Sequence, residues 1–267
     1  FNGEIYNFES LKETLLRTGK YQFRTTSDTE VLVYLYQEYG PAMLPMLNGM
    51  FAFALWDFEQ RQLFVARDRM GKKPLFYSLV GENILFGSEL KAIEQHPLCK
   101  SEINLHAVNE YLTFEYVPTP HTIINGIQKL EPGTYFVWES GKIIQQQSYH
   151  TIDFHRTETD FGKAVSRLDE LLEDATKLRM ISDVPLGVFL SGGLDSSIIA
   201  YYAQKLSSAK VRTFSSGFSE KSYDESEYAA AVAKQLGTEH YSKILTAKDT
   251  LDLLDGIYKK LDEPFAD

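Results

Sequence analysis

The chain has 267 residues, 43% hydrophobic and 24% charged, with a formal net charge of −10. That length suits two modest domains, and the apolar share without low-complexity tracts describes a well-cored globular protein. The acidic balance lacks the electrostatic footprint of general nucleic-acid binding. No apolar run approaches the ~20 residues needed to span a bilayer, and no signal peptide is visible. The one cysteine, Cys99, excludes an intrachain disulfide and fits a reducing cytoplasm.

In chain order, the first predicted helix covers residues 8–17, with Leu11, Leu15 and Leu16 on one face and a stop at Gly19. A second begins at Ser27, where Ser27 and Glu30 have the spacing of a capping box, and ends at Gly40 and Pro41. Short β-like runs follow at 50–56, 62–67, 74–79 and 83–87, separated by turn-prone stretches at 70–73 and 81–83. They read as a meander in an antiparallel sheet, with Phe51, Phe53 and Trp56 alternating as core residues. Polar residues 145–160 read as a linker, which places a domain break near residue 155.

Beyond the break the rhythm changes. A long helix is predicted at 161–181, with apolar positions at Ala164, Val165, Leu168, Leu171, Leu172, Ala175 and Leu178. Strand and helix then alternate at 186–190, 196–206, 211–217, 225–236, 240–245 and 250–260, the pattern of a parallel sheet covered by helices. The histidines are scattered, with no H-x-x-x-H pair, and receive no role.

The stretch SGGLDSS at 191–197 lies between the apolar strand PLGVFL and the helix IIAYYAQKL. A glycine-rich turn there lets backbone N–H groups crowd an anion, and the helix start adds favourable dipole charge. Ser191, Ser196 and Ser197 can add hydroxyl donors around Gly192 and Gly193, and Asp195 suits Mg²⁺ held against phosphates. No lysine follows the glycines, so this is not the phosphate loop of the common NTPases. An ordinary strand–turn–helix with a serine cap remains the alternative.

This loop resembles that of the N-type ATP pyrophosphatases. NGEIYN at 2–7, TSDTEV at 26–31, NGMFAFALWD at 48–57 and RDRMGKKPLFY at 67–77 resemble pieces of the glutaminase domain of glutamine-hydrolysing asparagine synthetases. SDVPLGVFLSGGLDSS at 182–197, YDESEYAAAVAKQLGTEH at 223–240 and DEPFAD at 262–267 resemble the synthetase domain in the same order. The resemblance covers essentially the whole chain. It implies an α+β domain of the amino-terminal-nucleophile αββα type over residues 1–155, then an α/β pyrophosphatase domain over 156–267. Phe1 is not a methionine and Asp267 closes a motif, so the sequence reads as a fragment cut at both ends.

The resemblance also implies a chemistry. An amino-terminal cysteine whose own amine is the base would attack glutamine; it is expected upstream, and the internal Cys99 cannot replace it. Asn2 and Gly3 match the oxyanion hole, while Glu4 and Asp28 match residues that hold glutamine, Asp28 at the α-ammonium. Asp28 can also be read as a helix-start carboxylate favoured by the dipole. Arg67 and Asp68 read as an ion pair or turn contact. Phe189, Leu190, Ser191, Ser216 and Gly217 end two strands, and Phe189 and Ser216 would offer backbone contacts to adenine. Asp195 and Asp267 would bind Mg²⁺, with Asp262 and Glu263 as alternatives and an exposed turn aspartate as the plain reading of Asp267. Around Tyr223, Asp224 and Glu225, helix capping and a substrate role both stay open.

The implied reaction is adenylation of aspartate's side chain by Mg-ATP, then amidation by ammonia from glutamine. Two rivals remain: a ligase with a decayed glutaminase, as in β-lactam synthetases, and a non-catalytic binding module. No nucleic acid or membrane is expected as partner, and a homodimer is compatible with the resemblance.

Overall fold

The computed structural model describes residues 1–155, 158–182, 184–222 and 224–266. Two units are traced within them: Phe1–Asp153 together with the segment from Lys259 onward, and Phe154–Tyr258. Each is built differently.

In the first unit, β1 (Asn2–Ile5) is followed by α1 (Phe8–Arg17) and α2 (Asp28–Tyr39), then a 3₁₀ segment at Gly40–Met46. Leu11 and Leu15, one turn apart, bury one stripe of α1. Leu16, expected on the same face, is rotated off it and stays 46% exposed. Ser27 caps α2 by accepting the Thr29 N–H. Glu30 does not close the expected capping box; its carboxylate turns back to the N–H groups of Arg24 and Thr25 and to the Thr25 hydroxyl. Those bonds hold its pKa down to about 2, the Thr25 hydroxyl contributing most.

The main sheet has the order β1-β2-β3-β7-β8, with β2 at Gly49–Asp57, β3 at Gln62–Arg67, β7 at Thr134–Glu139 and β8 at Lys142–Ser148. Every pairing in it is antiparallel. Phe51, Phe53, Phe64, Ala66, Tyr135 and Val137 point to one face and pack with the helices. Ala52, Leu63, Val65 and Phe136 point to the other, where Leu75, Tyr77 and Leu130 meet them. Trp56, expected in the core, has the opposite parity to Phe51 and Phe53 and sits 40% exposed near the strand end against Phe58. The first quarter of the expected linker belongs to the edge strand β8, whose polar, exposed residues suit an edge.

The expected meander is broken after β3. Strand β4 (Phe76–Val80) leaves for a second sheet, β5-β4-β6, with β5 at Asn83–Gly87 and β6 at Gln128–Lys129. The cause lies in the turn between them. Asp68, 1% exposed, accepts the N–H groups of Phe51, Met70, Lys72 and Lys73. Arg67 donates to the carbonyls of Gly71, Lys73 and Leu130. Both residues are thus turn contacts, each spending its charge on backbone groups. Two helices not foreseen from the sequence, α3 (Leu90–Glu94) and α4 (Leu105–Phe114), complete the unit.

The segment from Lys259 onward, which the sequence reading gave to the second domain, groups with the first unit. Asp262 accepts the Leu90 N–H at 2.6 Å and lies 3.4 Å from Lys91 Nζ. Glu263 accepts the Ile123 N–H at 2.8 Å and pairs with Lys129. The Ala266 N–H donates to the Glu115 carbonyl.

The second unit holds α5 (Phe161–Arg179), β9 (Gly187–Phe189), α6 (Leu194–Leu206), β10 (Arg212–Phe218), α7 (Ser226–Leu236), β11 (Glu239–Leu245) and α8 (Ala247–Tyr258). Its sheet has the order β11-β10-β9, parallel throughout. Leu190, Ala200, Ala229 and Ala233 form the buried centre. Val165, Leu168 and Leu171 of α5 remain exposed. Among the described residues no helix is long and apolar enough to cross a membrane.

Candidate active site

The turn from β9 to α6 is held by its own small residues. Leu190 is buried and its N–H donates to the Phe214 carbonyl, so the chain leaves the sheet at Ser191. Gly192 takes φ +85°, and a Cβ there would lie 2.6 Å from the Ala229 amide and the Tyr228 side chain. Only glycine fits that approach. The Ser191 and Ser196 hydroxyls lie 2.9 Å apart, the Gly193 N–H donates to the Ser191 hydroxyl, and the Ser197 hydroxyl donates to the Gly193 carbonyl. Helix α6 starts after Gly193 with no side-chain cap. The N–H groups of Leu194, Asp195 and Ser196 therefore have no acceptor among the described residues. Unfilled donors at a helix start, beneath a loop without side-chain bulk, form an anion cradle.

At the carboxyl ends of β9 and β10 a hollow of about 270 Å³ is shared by Phe189, Leu190, Ser191, Ser196 and Ser216. Gly217 does not line it; a Cβ there would collide with Ile244 and with the Asp224 carboxylate at 2.7 Å, so this glycine serves packing. A larger hollow of about 810 Å³ lies beside α5, β9 and α6, and Asp195 and Ser196 are on its wall with Met180, Val188 and Ile199. The smaller hollow is the better nucleotide candidate, because it lies at the strand ends where open α/β sheets bind ligands. Asp195 lines the larger hollow, which shares Phe189 and Ser196 with the smaller one.

In the first unit Asn2, Gly3 and Glu4 lie on β1 and Asp28 opens α2. Asp28 Oδ2 accepts the Ile5 N–H at 2.8 Å, fixing the end of the strand to the start of the helix. Its Oδ1 has only the Ser27 and Thr29 hydroxyls nearby, each at 3.5 Å. The Asn2 amide donates to the Ser88 hydroxyl at 3.2 Å, a partner that no sequence signal marked. A Cβ on Gly3 would fall inside the Met50 carbonyl oxygen across the sheet, so glycine is required. Glu4 is exposed.

Residues 1–150 match the family model described as a glutamine amidotransferase domain, and residues 167–267 match the one described as asparagine synthase. The glutamine-hydrolysing asparagine synthetase 1 of Bacillus subtilis is 37% identical over all of this chain and 42% of its own length. A putative glutamine-hydrolysing asparagine synthetase of Methanocaldococcus jannaschii is 36% identical over all of this chain and 52% of its own. The chain belongs to the glutamine-hydrolysing asparagine synthetase family. It spans about half or less of the length of these relatives. The asparagine synthetase B of Escherichia coli is 33% identical over 96% of this chain and 43% of that protein. Among solved structures, an allosteric regulatory enzyme of purine biosynthesis superposes with a TM-score of 0.38 at 17% identity, over 91% of this chain and 58% of that one, a likeness too slight to bear on the fold.

Within this asparagine synthetase family member, the expected metal ligands divide. The Asp195 carboxylate is exposed and has no hydrogen bond among the described residues, as suits a ligand for a hard cation. Asp267 lies outside the described residues. Asp262 and Glu263, the alternatives, are engaged by Leu90, Lys91, Ile123 and Lys129. Asp224 accepts the N–H groups of Phe218 and Ser226, and the Ser226 bonds hold its carboxyl below the usual range. That is the structural role; Tyr223 lies outside the described residues. Cys99 packs at the edge of the Phe76 and Ile93 cluster, and burial pushes its thiol pKa up, the wrong direction for a nucleophile. His106, Glu110 and His121 come together although the sequence holds no H-x-x-x-H pair; the visible signal was H-x-x-x-E on one helix.

Proposed function

We propose that this chain carries the glutamine-binding part and the ATP-binding start of a glutamine-dependent asparagine synthetase. The observation that carries the reading is the Ser191–Ser197 turn, with unfilled N–H groups at the start of α6 beside a hollow at the strand ends. Those donors and the serine hydroxyls would hold the ATP phosphates, and Phe189 and Ser216 would border the adenine. Asp195 would hold Mg²⁺, which neutralises phosphate charge when bound. Aspartate's side-chain carboxylate would displace pyrophosphate from the α-phosphorus and become an acyl-adenylate. Ammonia would then attack the acyl carbon, releasing AMP and leaving asparagine. Such chemistry rests on positioning and charge neutralisation, which a backbone cradle supplies.

In the first unit the Asn2 amide and the Gly3 N–H would stabilise the oxyanion formed when a thiolate attacks glutamine's carboxamide. Asp28 would pair the substrate α-ammonium through Oδ1, since Oδ2 is committed to Ile5. The nucleophile implied by the family resemblance is a cysteine with a free α-amine, a role that the internal Cys99 cannot fill.

The test is to express the complete reading frame and supply glutamine, aspartate and Mg-ATP. Asparagine, glutamate, AMP and pyrophosphate should form together, with ammonium able to replace glutamine. Pyrophosphate formation with ammonium but never with glutamine would substitute the decayed-glutaminase reading. No pyrophosphate with aspartate under either nitrogen source would overturn asparagine synthesis.

A further inference from the structure

We propose that His106, Glu110 and His121 form a binding site for one divalent transition-metal ion of the Zn²⁺ class, separate from the nucleotide and glutamine sites. His121 Nδ1 lies 2.9 Å from Glu110 Oε1, His106 Nε2 lies 3.3 Å from the same oxygen, and all three donor atoms fall within 4.8 Å of one another. Around a tetrahedral ion with bonds of about 2.0–2.1 Å, neighbouring donors stand roughly 3.3 Å apart. Two of the three edges already have that scale, and a small rotation of either ring closes the third. The rings stand edge to face with centroids 4.9 Å apart, so neither blocks the other's approach to a shared ion.

The site is built by the fold. His106 and Glu110 are one turn apart on α4, hence on one face. Asn104 caps that helix by accepting the His106 and Ala107 N–H groups. The same residue holds the segment carrying His121, its amide donating to the Thr122 carbonyl and its N–H to the Ile123 carbonyl. Thr122, next to His121, is fully buried, with its hydroxyl donating to Ile124 and Ile127. One side chain therefore fixes both halves of the donor set. The Glu110 side chain is 17% exposed and the His106 side chain 65%, so the donors reach from a shielded carboxylate to solvent. Two imidazoles and a carboxylate favour Zn²⁺, Co²⁺ or Ni²⁺ over Mg²⁺, which takes oxygen ligands. Three protein donors leave a fourth position for water or a further ligand.

The experiment titrates the metal-free, untagged complete protein with Co²⁺ at neutral pH, following visible d–d absorption, and then displaces Co²⁺ with Zn²⁺. One Co²⁺ should give a tetrahedral spectrum that Zn²⁺ abolishes and excess Mg²⁺ does not. H106A and H121A should each weaken binding by about tenfold or more, and E110Q, which keeps the helix and a neutral hydrogen-bonding group, should weaken it too. H106A removes an exposed side chain, so its unliganded melting temperature should match the parent's while the Zn²⁺-induced rise is lost. Co²⁺ binding that is absent in the parent, or unchanged in H106A/H121A, would overturn the proposal.

Discussion

In the first unit the largest fully buried side chains are aromatic, Phe51, Phe64 and Phe136, whereas the buried centre of the second is Leu190 with Ala200, Ala229 and Ala233. The two interiors position their candidate sites by opposite means. The first unit ties strands and helices with carboxylates that accept backbone N–H groups: Asp28 to Ile5, Asp68 to four amides, Glu30 to Arg24 and Thr25. The second leaves side chains out: alanines let α6 and α7 approach, and Gly192 lets the loop touch the Ala229 amide. A pocket for a charged amino acid can be framed by charged side chains, while a polyphosphate is best met by bare backbone donors.

The contrast in packing gives the largest expected effect. Phe64→Ala should cost about 3–5 kcal/mol, as removal of a fully buried ring does. Leu168→Ala, on the exposed face of α5, should change stability by no more than about 0.5 kcal/mol. Hydrogen-exchange protection of the β3 and α5 amides in this chain reads both, and equal losses would erase the distinction drawn between the interiors.

The next largest effect separates the sites chemically. Asp195→Ala should lower pyrophosphate formation about 100-fold or more, because the phosphate charge loses its metal ligand, and should spare glutamine hydrolysis. A near-normal synthetase rate would reduce Asp195 to a helix-start carboxylate. Asp28→Asn is milder. The Asn carbonyl can still accept the Ile5 N–H, so the strand–helix tie survives while the charge is lost. A charged hydrogen bond contributes about 1.5–3 kcal/mol, so glutamine-dependent synthesis should fall about tenfold or more. Ammonia-driven synthesis should hold; a fall in both would make Asp28 a folding residue.

The smallest effect is electrostatic. Glu30 has its folded pKa depressed from the ordinary 4.5 to about 2. Its stabilising contribution is therefore complete above pH 4.5 and lost as the pH falls from 4.5 towards 2. Thr25→Val removes the largest cause, so the Glu30 carboxyl should titrate at higher pH by NMR while the Arg24 and Thr25 amide bonds keep part of the shift. An unmoved titration would mean that the backbone amides alone set it.

Local signals served well where the physics is local. Gln62–Arg67 and Asn83–Gly87 appear as strands at the expected residues, and Phe8–Arg17 as the expected helix. Alternation of strand and helix after residue 186 anticipated the parallel sheet. Failures came where a neighbour in space decides. The exposed side chains of β8 resemble a linker until β7 lies beside them. Trp56 is apolar but lies next to the end of β2, on the face opposite Phe51 and Phe53, where it stays exposed.

The sequence by itself determined the composition of the Ser191–Ser197 loop, the helix cap at Ser27 and the order of the strands along the chain, because glycine conformation, capping and side-chain periodicity act over a few residues. Tertiary structure decided which carboxylates are spent. Asp262 and Glu263 are consumed by backbone amides and lysines distant in sequence, and Asp68 by the Phe51 amide of the neighbouring strand as well as by its own turn, while Asp195 is left without a hydrogen bond among the described residues. It also decided that His106 and Glu110 meet His121, since Asn104 must bring a loop back over a helix before two imidazoles can face one carboxylate. A carboxylate's role follows from the donors and charges around it, and for most of these residues those neighbours arrive only with the fold.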